Sequence, residues 1–262
     1  MFAEERKREI LRLLVIQKKV KTLELSQLFN VSEPTVRRDI NEMEEQGLLV
    51  RTHGGAIALE SSEMEPSFVD KLDRYNQEKH EIGRLAAGLI KDHDTVILDS
   101  GTTTVAIAQN IKAKHVTVIT NSLDVATALE DNLEIELILT GGQMRWNTRA
   151  MVGAIAEKAL GAFRVNLAFV GTNAFNEKGY TTPNLIEAQT KKKMIEIADR
   201  AFIVADSSKY GKTQLCLISE LEGVSGIISD NHLPAAFIAY CEQKEIDVIV
   251  KVGEAFDRNR NT

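Results

Sequence analysis

Residues 22–55, TLELSQLFNVSEPTVRRDINEMEEQGLLVRTHGG, are the stretch from which the rest of the chain can be read. Thr22 is expected to cap a short amphipathic helix that carries Leu25, Leu28 and Phe29 on one face. Asn30 and Val31 break it tightly. Ser32 then reads as the cap of a second helix, with Pro34 in the first turn, where its missing N–H costs nothing. Val36, Ile40 and Met43 fall at i, i+4 and i+7 and face inward, which leaves Thr35, Arg37, Arg38 and Asn41 outside. Gly47 marks a C-terminal break, and residues 48–52 before Gly54-Gly55 read as a strand entering a hairpin. Helix, tight turn, helix with a basic outer face, then a small β wing: this is the pattern of a winged helix-turn-helix, which puts one helix into a DNA major groove. Helix pairs also occur in ordinary helical domains, and adjacent arginines are commonly a solvated face. The Pro-started helix, outward Thr and Arg-Arg, and basic-tipped wing together favour DNA.

The 262 residues suffice for two domains, and 44% hydrophobic with 27% charged residues is an ordinary globular composition. No apolar run reaches the length of a membrane span, and the charged start MFAEERKREI lacks the apolar core of a signal peptide, so a cytoplasmic protein is expected. Cys216 and Cys241 form no CxxC pattern and read as buried thiols in a reducing compartment. Net charge is −6, yet residues 1–57 hold ten Lys and Arg against nine Asp and Glu. The acidity lies in the remainder. A near-neutral reading head offers few phosphate contacts, so DNA binding through a homodimer or homotetramer is expected.

Residues 4–18 read as a first helix with Ile10, Leu13, Leu14 and Gln17 on its inner edge, and 20–22 as a small strand. These complete a DNA-binding domain over 1–57. Residues 58–72, with Pro66, read as a linker, and 73–262 as a second domain opening on a helix over 74–90 with Ile82, Leu85, Ala86 and Leu89 on one face. Beyond it, apolar runs at 95–99, 116–120, 135–140, 167–171, 202–205, 226–229 and 247–252 alternate with helical patterns at 103–111, 122–131, 154–160, 187–198 and 235–244. That alternation predicts an α/β domain with a largely parallel sheet covered on both faces.

In such sheets ligands gather beyond the carboxyl ends of the strands. Four successive runs end in Asp99-Ser100-Gly101-Thr102-Thr103-Thr104, Thr120-Asn121-Ser122, Thr140-Gly141-Gly142 and Gly171-Thr172-Asn173. The first is the sharpest: a glycine for close approach, hydroxyls, and the free N–H groups of a following helix suit a phosphate. It is not a P-loop, because GxxxxGK[ST] and its lysine are absent. Tight turns of any α/β fold are the bland alternative for one such end; four together favour a small anionic ligand. Arg74, Lys79 and Lys209 are the candidate cations. No His/Cys/Asp/Glu cluster has metal-ligand spacing, no cofactor is expected, and none of the five histidines is assigned a catalytic role.

Taken together these residues resemble the DeoR family of bacterial sugar-metabolism regulators. The resemblance is carried by residues 6–10, TVRRDI at 35–40, LVRTHGGA at 49–56, LDSGTTT at 98–104, TN at 120–121, TGG at 140–142, TTPN at 181–184 and ADSSKYG at 205–211. It implies a sensor domain similar in fold to ribose-5-phosphate isomerase and glucosamine-6-phosphate deaminase, which bind phosphorylated open-chain sugars. It also implies that Ser100, Gly101, Thr102 and Thr103 hold a sugar phosphate with help from Lys79, and that Asn121, Gly142, Asn173, Glu187 and Lys209 line the rest of the pocket. Asn173-Ala174 departs from the family's frequent Asp-Gly, and an asparagine cannot act as a carboxylate base.

The expected function is a sequence-specific repressor of a carbohydrate-utilisation operon that binds operator DNA and responds to a phosphorylated sugar or polyol. Thr35, Arg37, Arg38 and Asn41 are expected at the DNA, with Thr22, Ser32, Arg51 and His53 around them. An isomerase or deaminase with a DNA-binding appendage would need a carboxylate base, for which Glu187 is the candidate. A ligand-independent architectural DNA binder would leave the four strand ends without a use.

Overall fold

The structure, a computed structural model, describes residues 2–17, 19–45, 48–58, 67–72 and 74–250. Contacts divide the chain into two compact units, Met1–Met64 and Glu65–Thr262. The first contains α1 (Ala3–Gln17), β1 (Lys19–Lys21), α2 (Thr22–Phe29), α3 (Glu33–Glu45), β2 (Leu49–Thr52) and β3 (Gly55–Ala58). The strands form an antiparallel sheet in the order β1-β3-β2. Ile10, Leu14, Leu25, Phe29, Val36, Ile40, Met43 and Leu49 make one core with Val20 and Ala56. Asn30 ends α2 in the left-handed region (φ 52), where Val31 N–H reaches Ser26 O at 3.1 Å, and this is the tight break.

Three details differ from expectation. Leu28 is 61% exposed, because the inner stripe of α2 is Thr22, Leu25, Ser26 and Phe29. Thr22 is not the cap: Lys21 holds that position without a side-chain bond, and buried Thr22 donates its N–H to Gly54 O at 2.8 Å. Gln17 is exposed rather than on the inner edge of α1. The break expected at Gly47 lies outside the described residues.

In the second unit follow α4 (Phe68–Leu72), α5 (Asn76–Ala87), β4 (Thr95–Leu98), α6 (Thr102–Ala108), β5 (Val116–Thr120), α7 (Leu123–Leu129), β6 (Ile135–Leu139), β7 (Gln143–Arg145), β8 (Ala150–Val152) and α8 (Ala154–Leu160). Then come β9 (Val165–Gly171), β10 (Ala174–Asn176), β11 (Gly179–Thr182), α9 (Leu185–Glu196), β12 (Ala198–Val204), β13 (Cys216–Ser219), β14 (Gly226–Ile228), α10 (Ala235–Gln243) and β15 (Asp247–Ile249). Seven strands form a parallel sheet ordered β15-β14-β12-β9-β4-β5-β6. Alternate residues face two separate cores. Val96, Leu98, Val118, Phe169 and Phe202 pack with Ile82, Ile107 and Val125 of α5, α6 and α7. Ile97, Ile119, Val170, Ile203 and Ile227 pack with Leu160, Met194 and Phe237 of α8, α9 and α10, and both cysteines are free and buried on this side.

Residues 67–72, expected in the linker, are folded: α4 is a helix and Phe68 is buried. Residues 59–66 and 73, also in that expected linker, lie outside the described residues. Two small additions were not anticipated, the β7–β8 hairpin and an antiparallel sheet ordered β10-β11-β13.

Candidate functional site

The first strand of the parallel sheet, β4, has β5 and β6 on one side and β9, β12, β14 and β15 on the other. The strand order therefore reverses between β4 and β9, and a crevice opens at their carboxyl ends. A cleft of about 510 Å3, open to solvent, lies there. Its walls are Ser100–Thr104 after β4, Gly171, Thr172 and Asn173 after β9, Lys209 after β12, Glu187 and Lys191 from α9, Thr148, and Phe68 and Lys71 from α4. Gly101 caps α6 at φ 144, a backbone conformation that side chains avoid, and Thr104 Oγ1 donates back to Gly101 O at 2.9 Å.

Behind the lining residues Asp99 is fully buried. It accepts the Gly171 N–H at 2.9 Å and pairs with Lys191, so its carboxylate ties the two strand ends together. Asn184 caps α9 by accepting the Glu187 N–H at 3.1 Å, which presents Glu187 and, one turn on, Lys191 to the same cleft. Glu187 accepts from Thr148 Oγ1 at 2.6 Å and pairs with Arg145, and Thr182 Oγ1 lies 3.5 Å from it. Burial pushes its carboxyl up, but Lys191, the Thr148 hydroxyl, Arg145 and Lys71 together hold it below its ordinary value. Thr182 Oγ1 also donates to Asn173 Oδ1 at 3.0 Å. Lys209 lies 3.7 Å from Asp206. Burial above all, and then Lys71, Lys79 and Lys191, push its ammonium down to about 8 against the pull of Asp206. Three lysines, two of them paired with Asp99 and Asp206, thus surround a hydroxyl-rich turn, a lining that can take an anion with polar substituents.

Of the residues expected here, Ser100, Gly101, Thr102, Thr103, Asn173, Glu187 and Lys209 line the cleft. Lys79 is buried nearby with its Nζ on the carbonyls of Lys71 and Arg74, and is not among the lining residues. Asn121 and Gly142 are not brought to it either. They end β5 and β6, one and two strands from the reversal, at about 5 Å per strand. Both instead seat the β7–β8 hairpin: Asn121 Nδ2 donates to Met151 O at 3.1 Å, and at Gly142 (φ 123) a Cβ would meet Val152 O at 2.8 Å. Lys71, Thr148 and Lys191 were missed. Lys191 was legible as the residue four positions after Glu187; Lys71 and Thr148 carried no local signal.

In the first unit, Ser32 caps α3, with its Oγ 3.4 Å from the Thr35 N–H and 2.9 Å from Thr35 Oγ1. Arg37 and Arg38 project from α3, 64% and 82% exposed, and pair with Glu33 and Glu42 on their own helix. Arg51 of β2 donates to Asn41 Oδ1 at 2.8 Å and so joins wing to helix. Thr22, Arg37, Arg51 and His53 border one shallow hollow. Sequence reading assigned no structural role to Arg6, which forms a buried two-pronged pair with Asp39, Nε to Oδ2 at 2.8 Å and Nη2 to Oδ1 at 3.1 Å, fixing α3 against α1.

A three-helix head with a β wing, joined to an α/β unit with a polar switch-point cleft, is the architecture of a DNA-binding regulator. Residues 6–62 match the DeoR-like helix-turn-helix domain and residues 74–231 the DeoR C terminal sensor domain. The chain is 35% identical over 250 residues to the HTH-type transcriptional repressor GlcR of Bacillus subtilis (strain 168), covering 95% of this chain and 97% of that one. It is 36% identical over 255 residues to a putative aga operon transcriptional repressor of Escherichia coli O157:H7, covering 95% and 94%. The chain belongs to the DeoR family of transcriptional regulators, and its relatives are named as regulators and repressors rather than enzymes. A ribose 5-phosphate isomerase A from Methanocaldococcus jannaschii overlays with a TM-score of 0.37 at 18% identity, over 52% of this chain and 54% of that one, a likeness too slight to carry an argument.

Proposed function

We propose that the chain is a repressor of a carbohydrate-utilisation operon, and that a phosphorylated open-chain sugar or polyol in the switch-point cleft changes its affinity for operator DNA. The observation that carries this reading is the meeting of Lys71, Lys191 and Lys209 with the Ser100–Thr104 turn around one cleft. Three ammonium groups and a row of hydroxyls fit a dianion better than any neutral ligand. Asn173, Thr148 and Glu187 add acceptors and donors for sugar hydroxyls. At the DNA, Arg37 and Arg38 contact phosphates or guanine edges, Thr35 and Asn41 bases or backbone, and Arg51 and His53 the flanking backbone from the wing. Ser32 and Thr22 act by holding the two helices in position. Two or more copies bind paired half-sites, and the protein works where the chromosome is, in the cytoplasm.

The test is thermal unfolding of the full-length chain against a panel of sugar phosphates and their unphosphorylated parents. One phosphorylated member is expected to raise the midpoint in a concentration-dependent way while its parent does not. No shift across the panel, or equal shifts with the parents, would refute the phosphate reading.

A further inference from the structure

The residues on the outer face of α3 are held in different ways. Thr35 is tied to Ser32 in the helix cap, and Arg37 and Arg38 pair with Glu33 and Glu42 one turn along the same helix. Exposed pairs of that kind are weak and exchange easily for other partners. Asn41 is held from outside the helix: it is half-buried, and its Oδ1 accepts from Arg51 Nη1 of β2 at 2.8 Å. The Arg51 backbone is itself anchored. Its N–H donates to Glu44 Oε1 on α3 at 3.1 Å, and Arg51 pairs with Ala56 in the antiparallel wing. Ala56 is wholly buried, and the wing lies so close to β1 that a Cβ at Gly55 would meet Val20 O at 1.9 Å. The wing thus brings Arg51 to Asn41 on a fixed backbone.

A guanidinium only donates, so the amide that meets it must present Oδ1, and Nδ2 is turned away from Arg51. Among the described residues Nδ2 meets no partner within the protein, and it is not an atom sealed from solvent. We infer that Asn41 reads a base edge as a donor, at a purine N7, a guanine O6 or a thymine O4, and that Arg51 is the positioning residue that fixes the amide in that sense. This rests on the placement of α3 at the DNA proposed above. An asparagine amide left to itself turns over at little cost, meeting an acceptor with Nδ2 or the amino group of cytosine with Oδ1. Held by Arg51 it does not turn over, and a base pair that points cytosine N4 at Nδ2 sets donor against donor. The other N–H groups of the guanidinium remain for a phosphate, so Arg51 still serves the DNA backbone.

The experiment is selection of duplexes from a random pool by the full-length chain, followed by fluorescence anisotropy on duplexes changed one base pair at a time. At one pair of each half-site, cytosine on the strand facing Asn41 is expected to weaken binding by the parent chain about 5–150-fold. Asn41→Ala and Arg51→Ala are each expected to reduce that penalty to less than about threefold at the same pair, and to leave the preferences at other pairs in place. Together they do no more than either alone. A structural or backbone role alone for Arg51 predicts uniform weakening with the penalty intact. That result overturns the inference and leaves the DNA reading standing, as does relaxation at a different pair from the one that Asn41→Ala relaxes. If Arg51→Ala does not fold, Asn41→Asp decides. Its side chain only accepts, so cytosine becomes the preferred base at that pair, and an unchanged preference overturns the inference. A parent chain that enriches no sequence and discriminates at no pair overturns both the inference and the placement of α3 at the DNA.

Discussion

Replacing Lys191 with methionine removes a charge while keeping most of the stem that packs in the cleft wall. The Asp99 carboxylate then remains wholly enclosed, facing the Gly171 N–H at 2.9 Å and the Ser100 hydroxyl at 3.4 Å. The Lys191 side chain is only 7% exposed. Breaking a buried pair from one side costs about 3–5 kcal/mol, because the surviving charge is left uncompensated. For a unit of this size each kcal/mol lowers the midpoint by about 2–4 °C, so Lys191→Met should unfold about 6–20 °C earlier. Urea unfolding of the full-length chain, followed by circular dichroism and fitted with one transition per unit, measures the cost. The decisive comparison is the double variant Asp99→Asn/Lys191→Met, which loses both charges and should be more stable than Lys191→Met alone. If the double variant instead costs the sum of the two single changes, the pair is not what holds the ends of β4 and β9 together, and the reasoning fails.

Two further outcomes follow from the same structure. Arg38→Ala should lower DNA affinity by about 1–3 kcal/mol with no change in the unfolding midpoint, since the side chain is 82% exposed and touches only the outer face of α3; unaltered affinity in a fluorescence anisotropy titration would remove it from the DNA interface. The depressed Lys209 ammonium, titrating at about 8 against an ordinary lysine value of 10.5, is charged below about pH 8, so anion affinity measured by calorimetry should fall above that pH by up to about tenfold per unit, and Lys209→Arg should flatten the profile. Between about pH 8 and the ordinary value the folded chain binds fewer protons than the unfolded one, so this group's contribution to stability rises with pH there. A parent chain whose anion affinity is flat from pH 7 to pH 9.5 would contradict both the shift and the placement of Lys209 at the ligand.

Most of the architecture was written in period. The i, i+4, i+7 spacing of Val36, Ile40 and Met43, and the Val- and Ile-rich runs separated by helices, depend on local pattern alone, and those elements stand where they were expected. The failures have one physical character. Leu28 has the right spacing for the core, but the inner stripe of α2 runs through Thr22 and Ser26, small polar residues that a count of apolar positions passes over. Asn121 and Gly142 have the right chemistry, but strand order sets their distance from the crevice, and strand order is not encoded in any single strand. Lys71 and Thr148 reach the cleft from α4 and from the loop after β7, segments with no periodicity to read. Arg6 and Asp39 are 33 positions apart, and a charge on a helix reads as solvated until the opposite charge is seen to be buried against it.

Neither Glu187, which lines the cleft, nor Asp99, buried behind it, is placed to act as a base. A general base needs a free lone pair within reach of the substrate proton and an affinity for protons matched to the working pH. Glu187 is bound by Arg145 and Thr148, and its carboxyl is held below the ordinary range, which makes it a poor acceptor of a carbon-bound proton. Asp99 is turned to Lys191 and the Gly171 N–H, joining strand ends instead of facing a ligand. The third position that would suit a base carries Asn173, which hydrogen-bonds with Thr182. What remains directed at an occupant is positive charge and hydroxyl groups, and these bind without moving a proton.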